Sequence, residues 1–274
     1  DTPQDASVEI SQVFFEAPLV VREGEEKDIT VTLTPEGNRA SVEISSAEGT
    51  HASGKVAYVQ AERPARVDIA AIAAKCQGRR DTPHGLLQQP FMDFGPRWAN
   101  VEEIAYGTGE ALIRLALPSA LASDVETFRL HPALLDMATG AAQGLIPGFN
   151  QASDFFVPFS YTRLRLFGGL TDRLVSHVRL AEGTGPGIAV FDVTIARPDG
   201  TVLEVRTTVL ADGGFVRTLT DITGTGETSL DRELAQLTAT SSVDSELEKL
   251  KLELGTGSQP KELAGGEPPA EAKS

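Results

Sequence analysis

Apolar and polar residues alternate with period two in two separate stretches of the chain. In the later stretch, residues 156–167, 174–180, 188–196 and 202–210 each read as a strand, with Phe191, Val193 and Ile195 facing one way and Val190, Asp192 and Thr194 the other. Short turns such as Pro198-Asp199-Gly200 join them, so the four form an antiparallel meander. A second set of four, residues 8–15, 29–33, 42–46 and 56–61, repeats the pattern near the start, with Ile29, Val31 and Leu33 on one face.

A predicted strand pair, 98–106 and 111–117, and then a predicted helix over 132–145 precede the later meander. Pro132 suits a first helical turn, and Gly144 and Pro147 end the helix. Between them Ala133, Leu134, Met137, Ala138, Ala141 and Ala142 make it apolar almost all round, so it must be buried, as when a sheet wraps around it. Its only acid is Asp136. A carboxylate on such a helix is costly unless a partner holds it or its pKa is raised for chemistry. The two halves read as copies of one strand-pair, helix and meander unit, the first lacking its leading segment, as if the chain were cut at the front.

Composition narrows the class. The chain has 274 residues, 41% of them hydrophobic, and a net charge of −15, which suits one large or two small soluble domains. No stretch approaches the roughly 18 consecutive apolar residues of a membrane span, and Asp1-Thr2-Pro3 is neither a methionine start nor a signal peptide. The expectation is a cytoplasmic piece of something longer. Cys76 is the single cysteine and there are only four histidines, which leaves no disulfide framework and no metal site. The acidity argues against a nucleic-acid partner. Residues 1–60 carry −7, residues 61–216 carry −3 and residues 217–274 carry −5, so a phosphate-bearing ligand or acidic partner fits best in the middle. After residue 216 the composition becomes that of a flexible acidic linker; Leu247, Leu250 and Leu254 recur there at helical spacing, over a length below that of a stable isolated helix.

Four motifs then carry a resemblance. His131-Pro132-Ala133-Leu134-Leu135-Asp136 is similar to an HPALLD motif, and Phe94-Gly95-Pro96-Arg97-Trp98 to a YGPxF motif. Val157-Pro158-Phe159-Ser160-Tyr161 is similar to an LPFSW stretch, and His51-Ala52-Ser53-Gly54-Lys55-Val56 to the close of a first hotdog. Standing along the chain in the family's order, over residues 8–216, they resemble the dehydratase domain of modular polyketide synthases.

The resemblance implies an α+β double hotdog, two antiparallel sheets each wrapped around a helix, with the first hotdog incomplete here. Residues 1–75 would be the remainder of the first hotdog, 76–97 a connector, 98–216 the second hotdog and 217–274 the linker. It also implies a lyase that removes water from a 3-hydroxyacyl thioester. That substrate would arrive on the phosphopantetheine arm of an acyl carrier protein, with no cofactor of the domain's own. The catalytic acid carried over is Asp136. Phe94, Gly95, Pro96, His131, Pro132, Gly140, Gln143, Pro158 and Phe159 are expected to wall or orient the site. Arg163 and Arg165, alternating outward after Pro158, are expected to meet the carrier protein. Neighbouring megasynthase domains and a homodimer complete the expected partners.

Three departures bear on activity. No histidine fits the family's HxxxGxxxxP motif, so the general base is expected outside this chain. Gly140 stands where the family places Gln or His to orient the acid, with Gln143 as a more distant substitute. Phe94 lacks the hydroxyl of the motif's tyrosine. His131 is expected to serve chiefly as a capping contact before the helix, and Cys76 as a structural thiol. The alternative function is a catalytically inactive dehydratase-like scaffold.

Overall fold

A computed structural model describes residues 7–82, 88–89, 92–154, 156–185 and 187–212. His84 and the linker over 217–274, with its leucine stripe, lie outside the described residues.

The chain opens with β1 (Ser7–Phe15), β2 (Thr30–Glu36), β3 (Arg39–Ser46) and β4 (Gly49–Val59), followed by helix α1 (Ile69–Lys75). Short strands β5 (Arg80–Asp81), β6 (Gln88–Gln89) and β7 (Met92–Asp93) lead to β8 (Val101–Tyr106) and β9 (Glu110–Ala116). One-turn helix α2 (Asp124–Thr127) and helix α3 (Pro132–Gly140) come next, and then the meander β10 (Phe156–Leu166), β11 (Arg173–Leu180), β12 (Ile188–Ala196) and β13 (Val202–Asp212).

Eleven of these strands form one antiparallel sheet in the order β2-β3-β4-β1-β10-β13-β12-β11-β9-β8-β5. The two expected sheets are therefore joined edge to edge. Their seam is the β1–β10 ladder, which pairs Val8 with Leu166, Ile10 with Leu164 and Phe14 with Ser160. Helix α3 lies against β9, β10, β11 and β12, and the core forms there, around Leu134, Ile113, Leu174, Phe191, Ile195 and Leu210. This is the second hotdog of the expected fold.

The first half is different. No hydrophobic residue of β1–β4 is buried, and Val31 and Leu33 are each 60% exposed. Ile10, Val13, Val42, Ile44 and Val56 line an open trough of about 750 Å³ on this half. No helix covers the trough among the described residues. The helix that follows β4 goes elsewhere: α1 sets Ile72 and Cys76 on Ala105, Leu112 and Val175, across β8, β9 and β11. Burial pushes the Cys76 thiol pKa up, as befits an inert structural thiol. Sequence periodicity did not single out α1 because it spans only two turns, yet its start carries a cap, Asp68 accepting from the Ala71 amide at 2.9 Å.

The turn between β12 and β13 shows why Gly200 is needed. Its φ is +85°, and Val67 N donates to its carbonyl at 2.9 Å, so a Cβ would run into the Val67 backbone. No described helix is long and apolar enough to cross a membrane.

Open and closed halves predict opposite mutational responses in urea unfolding. Val31→Thr and Leu33→Thr keep strand-compatible side chains on the open face and are expected to change stability by less than about 0.5 kcal/mol. Phe191→Ala, at a fully buried position, is expected to cost about 3–5 kcal/mol.

Candidate active site

Helix α3 begins as its sequence dictates. His131 is the N-cap, its ring Nδ1 accepting from the Leu134 amide at 3.4 Å, and Pro132 occupies the first turn. Ala133, Leu134, Met137, Ala138 and Thr139 are buried. The helix stops at Gly140, five residues short of the expected end. The chain tightens there, with the Ala142 amide donating to Thr139 O at 2.9 Å, and continues as a 3₁₀ turn over Gln143–Leu145. Gly144 sits directly under the Arg79 guanidinium and the Tyr106 hydroxyl, where a side chain would collide with both.

Asp136 projects into a cavity of about 200 Å³. Phe94, Met137, Phe149, Phe156, Val157 and Pro158 supply its apolar wall. Gly140 and Gln143 line it too, while Arg79, Asp81 and Tyr106 form a polar part, with Arg79 stacked 4.3 Å above the Tyr106 ring and paired with Asp81 at 2.9 Å. Burial raises the Asp136 pKa; a hydrogen bond from Trp98 and the charge of Arg206 pull it back only in part.

The Trp98 bond is short and direct, Nε1 donating to Asp136 Oδ2 at 2.7 Å. Trp98 ends a 3₁₀ turn over Pro96–Trp98 that is tied down on both sides. Asn100 Nδ2 donates to Arg97 O at 2.9 Å and to Ala133 O at 3.0 Å, bridging that turn to α3. Arg97 Nε donates to Asp124 Oδ2 at 2.6 Å and holds that carboxyl below the usual range; His131 Nε2 stands 3.5 Å from the same oxygen.

The expected site residues therefore divide. Phe94, Asp136, Gly140, Gln143 and Pro158 share the cavity wall. His131 lies outside that wall, fully buried and occupied with capping, and Pro132 is exposed. Gly95 and Pro96 are also exposed and off the wall; a Cβ at Gly95 would meet nothing within 4 Å, so no close backbone approach depends on that glycine. Phe159 is 41% exposed and turns to Phe14 across the β1–β10 seam, their ring centroids 6.4 Å apart.

Gln143 does not orient the acid: its amide donates to Phe156 O at 2.8 Å and accepts from Phe156 N at 3.0 Å, pinning the start of β10. The orienting donor is Trp98, present in the quoted motif but given no role by sequence reasoning. It is the only tryptophan of the chain, 38 residues from its acceptor. Arg165 pairs with Glu9 at 2.7 Å, whereas Arg163 is exposed.

No described histidine lines the cavity. His51 bonds Ser46 Oγ at 2.8 Å, and His177 meets Glu110 Oε2 at 2.7 Å, with burial pushing its pKa down.

Residues 64–210 match the family model described as polyketide synthase dehydratase N-terminal domain. The polyketide synthase PksM of Bacillus subtilis (strain 168) is 22% identical over 212 residues, which cover 71% of this chain and 5% of that protein. The chain thus spans about one twentieth of the length of that curated relative. Among solved structures, the dehydratase domain from the CurF module of curacin polyketide synthase superposes with a TM-score of 0.69 at 22% identity, covering 77% of this chain and 78% of that one. A trans-AT polyketide synthase dehydratase domain from Brevibacillus brevis gives 0.69 at 21% identity, with the same coverage. These neighbours share the fold.

The raised pKa of Asp136 has a consequence for stability. An acid that holds its proton more tightly when folded makes the native state bind more protons than the unfolded one, so stability falls as pH rises above the unfolded carboxyl pKa of about 3.9. Asp136→Asn removes this penalty and keeps an acceptor for Trp98. The variant is expected to exceed the parent in urea stability at neutral pH, with the gap closing in acid below that value.

Proposed function

The chain belongs to the polyketide synthase dehydratase family, and on that premise we propose that it removes water from a 3-hydroxyacyl thioester carried on the phosphopantetheine arm of an acyl carrier protein. A base takes the α proton, which the thioester carbonyl acidifies. The electron pair left on the α carbon forms the new double bond as the β carbon–oxygen bond breaks. Asp136 delivers its proton to the departing hydroxyl, and water leaves. The observation that carries this reading is the carboxyl of Asp136, its pKa raised by burial, facing a cavity of about 200 Å³ with a largely apolar wall, with one donor from Trp98 to set its direction.

The base is assigned to a histidine outside this chain. The domain needs no cofactor of its own in this reaction. Arg163, with Arg165 beside it in its pair with Glu9, is assigned to the acidic carrier protein. The setting is the cytoplasm, within a larger synthase, as a homodimer beside further domains.

The absence of a histidine from the cavity wall, among the described residues, favours a second reading, a non-catalytic dehydratase-like scaffold.

Incubation with a 3-hydroxyacyl carrier-protein thioester, followed by mass spectrometry for loss of water, separates them. The chain alone is expected to be inactive. A longer protein that adds a histidine-bearing segment upstream is expected to turn over, and Asp136→Asn in it should lower the rate by about 10²- to 10⁴-fold or more. A parent-like rate in that variant would remove Asp136 from the mechanism. Carrier binding without turnover in the longer protein would establish the scaffold. Gly140→Gln provides a companion measurement: its Cβ would lie 3.6 Å from Asp136 Oδ1, in ordinary contact, and the added amide is expected to raise the rate by steadying the acid.

A further inference from the structure

The last strand carries a second pair of ionisable groups that the reaction as described does not use. Glu204 and Arg206 occupy alternate positions of β13, where a period-two strand turns both toward the core, and both side chains are at most 1% exposed. Arg206 Nη1 stands 3.3 Å from Glu204 Oε1. Arg206 Nη2 donates to Leu135 O at 2.7 Å and to Thr139 Oγ1, and the guanidinium sits 5.2 Å above the Tyr161 ring. Leu135 immediately precedes Asp136, and Thr139 lies one turn on. The guanidinium therefore grips the segment of α3 that presents the acid.

This grip sets an electrostatic problem. Arg206 is always charged, and its field reaches Asp136. A buried cation facing one buried carboxyl would draw the proton off it, and an ionised Asp136 could not protonate a leaving hydroxyl. Glu204 is the second carboxyl within reach of the same cation. Apart from that ion pair, neither of its oxygens has a hydrogen-bond partner among the described residues. One guanidinium can neutralise one carboxylate in this dry space, and Glu204 is the one directly paired with it.

Resting on the reading of Asp136 as proton donor, we propose that the Glu204–Arg206 pair is a positioning device for Asp136. Arg206 fixes the helix turn that aims the carboxyl, and Glu204 occupies the guanidinium's charge so that Asp136 keeps its proton. Burial raises the pKa of both carboxyls, and the charge of Arg206 opposes this in each. The other groups around Asp136 are Trp98 on the 3₁₀ turn and Tyr161 on β10, whose own pKa is raised chiefly by burial. Arg79 and Asp81 of the cavity wall already pair with each other, and Tyr106 lies under Arg79. Ser176 of β11 reaches the helix as a neutral donor to Ala138 O.

The test follows both carboxyl carbons by ¹³C NMR in the full chain, labelled at aspartate Cγ and glutamate Cδ, with Asp136→Asn and Glu204→Gln giving the assignments. In the parent, Glu204 is expected to ionise at lower pH than Asp136. Glu204→Gln, which keeps shape and removes the charge, is expected to lower the protonated fraction of Asp136 at a pH above its midpoint by about tenfold. A purely structural pair would leave that titration where it was. The proposal is overturned if Asp136 ionises before Glu204 in the parent, a comparison that needs no folded variant. It is also overturned if Asp136 titrates unchanged in a folded Glu204→Gln. An Asp136 that titrates in the ordinary carboxylate range in the parent removes the proton-donor reading itself. A high Asp136 midpoint indifferent to Glu204 removes only this proposal.

Discussion

A carboxyl on a helix that is apolar on nearly every side is the constraint around which this molecule is arranged. Such a group persists beside an apolar helix only if donors reach it or its pKa rises; Trp98 donates to Asp136, and burial raises its pKa. The helix bearing it is only nine residues long, so its own ladder of hydrogen bonds cannot hold it rigid. Its position is set from outside, by side chains that seek its backbone carbonyls. Asn100 takes Ala133 O, Arg206 takes Leu135 O, Ser176 takes Ala138 O, and Tyr106 reaches Ala141 O at 3.4 Å. These four come from a loop and three different strands, so the helix cannot shift without breaking bonds to the surrounding sheet. The position of the helix is thereby set by the strands and loop around it rather than by the helix itself.

The long sheet divides into a half that has this internal packing and a half that does not. Both belong to one ladder, because β1 and β10 share their edges. The later half closes on α3 and buries Phe191, Ile195 and Leu210; the earlier half leaves Val31, Leu33 and Tyr58 largely in solvent. Identical alternation thus has different energetic weight in the two halves, since an apolar strand face contributes to stability only when something apolar is laid on it.

Within the site, two kinds of polar group play separate parts. Gln143 spends both ends of its amide on the Phe156 backbone, and Asp124 draws in Arg97 near the His131 ring. These contacts build the frame. Trp98 and Arg206 touch the acid or its helix turn directly and pull its pKa down against the effect of burial. The Arg206 side chain is a costly way to make a helix contact, because its charge leaves water completely; Glu204 offsets that cost while leaving two carboxylate oxygens short of donors.

The strands of the later meander were legible from period-two alternation, and the start of α3 from Pro132 and the apolar run after it. The acid was legible too, as the lone charged residue on that helix. These features are local: they depend on residues a few positions apart, so a linear reading contains them. The early end of α3 at Gly140 was not legible, nor was the setting of the turn after it, where Arg79 and Tyr106, distant in sequence, lie over Gly144. Nor were the Trp98 donor, 38 residues from Asp136, or the Arg206 grip, 71 residues from Leu135. The sequence by itself determined the strands of the later meander, which helix must be buried and which residue on it is acidic, whereas the fourth early strand, read as 56–61, runs over Gly49–Val59. Only the tertiary structure decided what surrounds that acid, because strand order and register choose its neighbours, and alternation alone leaves both free.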